Sequence, residues 1–506
     1  MDQPSHFKLK NNYPAGGVRE IPISGYDDFY SFVTDGLKDE ARHCLAYYGI
    51  KTQDSLKLYC FLADDPSGNI EVAAYETGTL NPVLRSAADL FPQLSVFERE
   101  INENFGVVFE GHPWMKGVRF PHNRRDKSKT MENYPFYGIE SEELHEVGVG
   151  PVHAGVIEPG HFRFICNGEK VLHLEIQLGY QHRGTEDLFL SKNTPLQRCI
   201  LAESIAGDTA VGHSLAHTQL IESLTGLEPG EALQIERCVA LEMERIAVHI
   251  GDTAALCGDV AYQLGQVVCE AIRTRVINTT QLWCGNRFGK GLIRSGGSNF
   301  PLSEETAAEI IKMTDFVDRQ FSGITECIYS SPSVLARFED IGTVTGTQAR
   351  QIGAVGIAAR TCGMARDVRK THPFQYFRNF AVNPAILETG DVLARGMIRK
   401  LEVRESLRII RELLEVWAGK DKDTGKPDYS YKLKPGAFSV SVVEGWRGEI
   451  VHSCETDAKG NLVHYKVKDP SVHNWMALAL AVRSQEISDF PVCNKSFNLS
   501  YCGHDL

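Results

Sequence analysis

No two of the 13 cysteines in this 506-residue chain form a C-x-x-C pair. They lie scattered, at Cys44, Cys60, Cys166, Cys199, Cys238, Cys257, Cys269, Cys284, Cys327, Cys362, Cys454, Cys493 and Cys502. An odd, dispersed set argues against a disulfide framework. It also argues against a self-contained iron–sulfur site, whose ligands come in tight local runs. Most of these cysteines are expected as small buried hydrophobes. Long apolar runs are missing too, so no segment is expected to cross a bilayer. Nor is there an excess of basic residues: the net charge of −12 has the wrong sign for gripping nucleic-acid phosphates. The opening MDQPSHFKLKNNYP has neither the basic flank nor the apolar stretch of a secretion signal. A cytoplasmic chain is therefore expected, with any membrane link made through partners.

What is present is globular, with 42% hydrophobic and 23% charged residues. The length predicts two or three domains. Residues 121–148 are polar, charged and almost free of aliphatics, as a surface linker would be. Before them, residues 29–50 read as a helix, 57–65 and 70–78 as strands, and 87–106 as a helix with a glycine stop. The division is therefore 1–120, a linker over 121–148, and 149–506.

In the long second part, 161–168 and 170–179 alternate around Asn167-Gly168, a β-hairpin signal. From about residue 185 the spacing turns helical. Segments 196–226, 231–285, 303–329 and 403–419 are long helix candidates, the third opening on a serine cap. Residues 438–468 return to hairpin patterning, 474–490 read as a last helix, and a short irregular tail follows. The expected fold class is α+β, a small α/β domain followed by a mainly helical domain with small antiparallel sheets near its start and end.

Some segments carry more than a pattern. FEREINENFGVVFEGHPWMKGVRFP contains Glu98, Arg99, Glu100, Phe105, Gly106, Gly111, His112 and Pro113. In this order and spacing they resemble the signature of the 30-kDa subunit of complex I, with Glu103 where that family has Asp. The resemblance implies a docking module without redox chemistry. Further on stand His182, Arg183, Gly184 and Glu186 as H-R-G-x-E, then Gly356, Arg360, Gly363, Arg366 and Asp367, then Glu444, Arg447 and Gly448, then KDPSVHNWMAL. These resemble the 49-kDa subunit of complex I and, more closely, the large subunit of group 4 [NiFe]-hydrogenases. Arg360, Arg366 and Asp367 are expected as a buried ion-pair network.

That resemblance implies four thiolate positions for nickel and iron, because soft sulfur suits both metals and bridges them. Here the positions carry Ala206, Thr209, Ser500 and Gly503, with Cys502 one residue off. A methyl group and a hydrogen cannot ligate a metal, so no nickel is expected. With the sequence ending at Leu506, a cleavable tail of the kind that guards nickel insertion in many hydrogenases is not expected. The complex I comparison leaves a quinone or other acceptor as the group that would use the cavity. It aligns His153 with the His of the quinone-site hairpin, but supplies no counterpart for the family's quinone-binding Tyr.

His153 can bond a quinone oxygen and pass a proton near neutrality, or simply satisfy a sheet turn. Glu186 reads as a proton carrier, or as a carboxylate favoured at a helix start. Asp208 reads as a proton carrier or a solvated residue, and His213 as a group retained beside the site or a helix histidine. These four are expected around one pocket near the C-terminal tail.

The resemblance implies an oxidoreductase-complex subunit of the NADH:quinone oxidoreductase or hydrogenase-related type. It would sit on the inner face of the cell membrane, receive electrons from a partner and couple them to ion translocation. Its partners would be a small 20-kDa-like subunit with a [4Fe–4S] cluster, a ferredoxin-like iron–sulfur subunit, and antiporter-like and anchoring membrane subunits. The alternative is a non-catalytic coupling scaffold of such a complex.

Overall fold

A computed structural model describes residues 6–11, 15–52, 54–79, 81–155 and 157–506. Parts of the opening segment, and Val156 beside the His153 turn, lie outside the described residues. Strands β1 (Phe7–Lys10), β2 (Gly16–Gly17) and β3 (Ile23–Ser24) precede helix α1 (Tyr26–Lys38). Then come β4 (Arg42–Lys51), β5 (Leu56–Asp64) and β6 (Asn69–Thr77), β7 (Val83–Arg85), α2 (Ser95–Phe105) and β8 (Val108–Glu110). β1, β6, β5 and β4 form one sheet in that order, with β3 joining β6 in parallel.

The helix expected over 29–50 is a helix only as far as Lys38; its second half is β4. A bulge between Cys44 and Ala46 breaks the two-residue alternation of this strand, which hid it from a periodicity reading. Tyr47, Cys60 and Ala73 point to α1 and α2, while Tyr48, Tyr59 and Phe61 point the other way into the main core. The sheet thus has two buried faces. Gly106 ends α2 in the left-handed conformation, as its glycine stop implied.

Between β8 and β9 (His145–Val149) no helix or strand is formed among the described residues. β9 joins the hairpin of β10 (His161–Asn167) and β11 (Lys170–Gln177). The helices follow: α3 (Thr185–Ser191), α4 (Pro195–Ala202), α5 (Ala210–Thr225), α6 (Glu231–Asp259), α7 (Gln263–Cys284) and α8 (Glu304–Ser330). Short α9 (Pro332–Phe338), α10 (Gly346–Gln351), α11 (Gly356–Arg360) and α12 (Val368–Thr371) lead to α13 (Val392–Ala418). α6, α7, α8 and α13 pack as a bundle. No helix among the described residues is long and apolar enough to cross a membrane.

β12 (Ala437–Gly445), β13 (Gly448–Thr456) and β14 (Leu462–Lys468) form the last sheet, extended by β2 from the N-terminal segment. Side chains alternate across its faces. His452 and Tyr465 turn toward α5. Glu449, Ser453 and Lys466 turn toward the first sheet, where Glu449 meets His43 at 2.8 Å, Ser453 donates to Tyr48, and Lys466 pairs with Glu100. Arg366 reaches Asp65 at 3.2 Å. The first 120 residues therefore pack on the rest through buried charges as well as apolar surface. Glu98, also of the first part, accepts from Ser86 and the Ala87 amide, and burial raises its carboxyl to about 7.

The irregular tail expected after residue 490 is instead helical, α15 (Phe490–Phe497) and α16 (Tyr501–Asp505), following α14 (Ser471–Ala481). Ser500 caps α16 by accepting from the Gly503 amide, and Leu506 is 1% exposed. The Asp505 carboxylate accepts from Gly179 N (2.8 Å) and Gln181 N (2.9 Å), which fixes the segment to the end of β11.

Candidate functional site

The helix expected over 196–226 is broken at 203–209, the stretch that aligns with the first thiolate motif. α5 restarts because Glu244, on α6, accepts from the first free amides, Val211 N (2.7 Å) and Gly212 N (3.1 Å). Burial and nearby Asp208 raise the Glu244 carboxyl to about 8. Neither Glu244 nor the break is visible in local spacing, since the cap comes from another helix.

Two arginines tie this break to the C-terminal segment. Arg183 donates to Ser204 O (2.6 Å), Ile205 O (2.8 Å) and Cys502 O (3.2 Å). Arg447, in the two-residue turn between β12 and β13, donates to Asn498 O (2.5 Å) and to both Asp208 oxygens (2.7 and 2.6 Å). It also reaches Thr209 Oγ1 at 3.2 Å, which accepts from the Trp446 indole at the same distance. The Arg447 guanidinium is buried, whereas the Asp208 side chain is 40% exposed.

The four positions aligned with thiolates are all buried. Thr209 Oγ1 is engaged by Asp208, Arg447 and Trp446, and Ser500 Oγ by the Gly503 amide. A side chain at Gly503 would begin 2.7 Å from the Asp469 carboxylate. These groups do not fit a metal pair held by four thiolates. Among the described residues no cluster of three or more His, Cys, Asp or Glu is arranged to hold a metal ion.

His213 is fully buried, with Nε2 3.1 Å from Asp469 Oδ2 and Nδ1 3.1 Å from His452 Nε2. Burial alone would raise Asp469, but the His213 bond and the Arg447 charge hold it below the usual range. His452 Nδ1 lies 2.9 Å from the Tyr465 hydroxyl, which lies 2.8 Å from His217 Nδ1. Burial pushes His217 down to about 3 and, with His213 and His217 beside it, His452 well below its usual value. The motif reading singled out His213 but missed Asp469, His452, Tyr465 and His217, which come from β13, β14, α5 and the link between β14 and α14 and meet only in the fold.

Glu186 sits in the first turn of α3, 25% exposed, accepting from Val467 N (2.9 Å) and paired with Lys466 at 3.1 Å. It lines a cavity of about 430 Å³ with Glu100, Arg119, His182, Asp187 and Leu506. His153, Asp208 and His213 take no part in that cavity. His153 is half-buried, with Nε2 2.8 Å from Gly160 O inside its own turn. Its turn reaches the tail through Glu158, which accepts from Cys502 N at 3.4 Å. The four residues do not share that cavity; the segments that carry them are tied to the C-terminal segment by separate contacts. No phenol stands in the 203–209 break to pair with His153, so the residues present do not reproduce a His–Tyr quinone site.

Arg360 lies at the centre of a buried ion network, bonded to Glu402 and Glu444 at 2.7 Å each and 3.8 Å from Asp367. Arg369 joins Asp367 to Glu242, and Arg245 and His249 reach Glu402. Arg366 stands apart, on Asp65 of the first part.

Residues 23–136 match the family described as the 30 Kd subunit of respiratory-chain NADH dehydrogenase, and residues 259–434 the 49 Kd subunit. Hydrogenase-4 component G of Escherichia coli is 26% identical over 421 residues, 80% of this chain and 72% of that protein. The carbon monoxide-induced hydrogenase of Rhodospirillum rubrum is 29% identical over 357 residues, 70% of this chain and 97% of that protein. The C/D protein of the NADH-quinone oxidoreductase of Phocaeicola vulgatus is 24% identical over 439 residues, 79% of this chain and 82% of that protein. The chain thus carries the 30 Kd and 49 Kd complex I domains fused in one polypeptide, and its relatives are subunits of hydrogenases and of NADH-quinone oxidoreductases.

Proposed function

We propose that the chain is the large subunit of a membrane-associated, energy-converting oxidoreductase complex that works without a nickel–iron centre. It lies on the cytoplasmic side, held to membrane subunits through its partners. Electrons arrive from a small iron–sulfur subunit, and the redox step is coupled to ion movement in membrane partners. Residues 1–120 act as the docking part, 121–148 as the connection, and 149–506 as the part that faces the redox partner. Glu186, Asp208 and His213 handle protons beside α16, and His153 shapes the hairpin on its other side.

One observation carries the metal-free reading. At the four positions aligned with thiolates, Ala206 and Gly503 have no ligating atom, and the Thr209 and Ser500 hydroxyls are taken up by neighbouring groups. The scaffold reading draws support from the pairing of Glu186 with Lys466 and of Asp208 with Arg447, which leaves both carboxylates matched.

The two readings separate in the intact purified complex. A reduced ferredoxin-type donor is supplied with a panel of acceptors while ion movement is followed in vesicles. Acceptor reduction accompanied by ion movement is expected. An intact, fully assembled complex that reduces none of the acceptors would leave the scaffold.

A further inference from the structure

Five buried side chains form an unbroken hydrogen-bonded line: Asp469, His213, His452, Tyr465 and His217, with links of 3.1, 3.1, 2.9 and 2.8 Å. Every member is buried, on elements that come from three regions of the chain. With all three histidines neutral, one arrangement of protons satisfies every bond. An ionised Asp469 can only accept, so His213 donates from Nε2. The Nδ1 of a neutral His213 must then accept, so His452 donates from Nε2. His452 Nδ1 accepts from the Tyr465 O–H, and the Tyr465 oxygen accepts from His217 Nδ1–H. All donors point one way. What remains is a lone pair on His217 Nε2, an atom buried without a hydrogen-bond partner.

An orphaned acceptor at the end of a fully satisfied line is costly unless it is used. The surroundings of Tyr465 are polar. Tyr431 is near enough to raise the Tyr465 phenol, and Tyr429 near enough to raise Tyr431. The hydroxyls of Tyr429 and Tyr431 are likewise buried without partners, while Asp428, Ser430 and Lys432 alongside them are exposed. The opposite end, Asp469, abuts Gly503 on α16.

We propose that His217, Tyr465, His452, His213 and Asp469 form a directional proton conduit from His217 Nε2 to the carboxylate beside α16. A proton taken up at His217 Nε2 releases the Nδ1 proton to Tyr465. The Tyr465 proton passes to His452 Nδ1, the His452 Nε2 proton to His213 Nδ1, and the His213 Nε2 proton to Asp469. One proton enters, one arrives at Asp469, and every intermediate group is left neutral with its bonds reversed. The strong depression of His217 and His452 suits groups that pass a proton on rather than hold it. The conduit rests on the proposed function only for the use made of the proton at Asp469; the line of bonds stands without it.

Tyr465→Phe removes one hydroxyl and keeps the ring stacked on Phe189, 3.9 Å away. In the intact complex we expect turnover to fall at least ~10-fold, with a larger solvent deuterium isotope effect and unchanged assembly. His217→Gln should behave alike, since its amide can bond Tyr465 but cannot relay. Phe189→Leu, which disturbs the same ring but carries no proton, should turn over normally. A Tyr465→Phe complex with wild-type turnover and isotope effect would overturn the conduit. Neutron diffraction on the full chain provides a readout free of activity. Deuterons pointing in one direction along all four links are expected; deuterons pointing in both directions would overturn the proposal. An intact complex without any acceptor reduction would sink the functional reading, while the deuteron map would still decide the conduit.

Discussion

Arg360→Met is expected to cost about 3–5 kcal/mol of stability, a large share of the ~5–15 kcal/mol that holds a domain folded. Arg360 is fully buried and neutralises Glu402 and Glu444 directly, with Asp367 3.8 Å away. Methionine fills much of the volume but leaves these carboxylates facing one another without water. The network already runs short of positive charge. Burial and Asp367 push Glu444 up to about 7, although Arg360 pulls it down. Denaturant unfolding of the purified chain checks the cost. Arg408→Met removes a half-exposed pair with Glu405 and Glu412 and should cost no more than about 1 kcal/mol. Equal losses for the two variants would show that the buried network is not what holds α11, α12, α13 and β12 together.

Glu186→Gln is expected to lower turnover of the intact complex about 100-fold while assembly stays normal. The amide can still accept from Val467 N, and Lys466 keeps Glu100 as a partner, so the turn before α3 retains its shape. What is lost is the exchangeable proton on the edge of the cavity shared with Arg119, His182 and Leu506. Turnover is followed with the donor and acceptor found for the wild type, and assembly by which partner proteins copurify. Normal turnover in the Gln variant would assign Glu186 to the Lys466 ion pair alone.

Much of this fold was legible from sequence. The Asn167-Gly168 turn, the glycine stop at Gly106 and the serine cap at Ser303 all mark the places where elements turn or begin. The mistakes share a cause, since each involves a local pattern overridden by a distant partner. A bulge at Cys44–Ala46 disguised a strand as helix. Glu244 restarts α5 from another helix, which no spacing within 196–226 could reveal. The tail is ordered because Gly179 and Gln181, more than 300 positions away, donate to Asp505. For the candidate site, motif comparison singled out residues on recognisable segments, His153, Glu186, Asp208 and His213. It did not single out His452 and Tyr465, ordinary positions on alternating strands, nor Asp469 just after β14, which meet only when β13 and β14 lie against α5. Arg447 stood in a recognised motif, yet its use as the counter-ion of Asp208 depends on the turn that presents it.

The central claim is that the chain works without a nickel–iron centre, since the four positions aligned with thiolates carry Ala206, Thr209, Ser500 and Gly503. Its most direct test is elemental analysis of the purified, fully assembled complex, together with hydrogen-dependent dye reduction. The account predicts iron accounted for by the iron–sulfur partners, no stoichiometric nickel, and no dye reduction under hydrogen. Nickel near one atom per chain, or dye reduction driven by hydrogen, would contradict it.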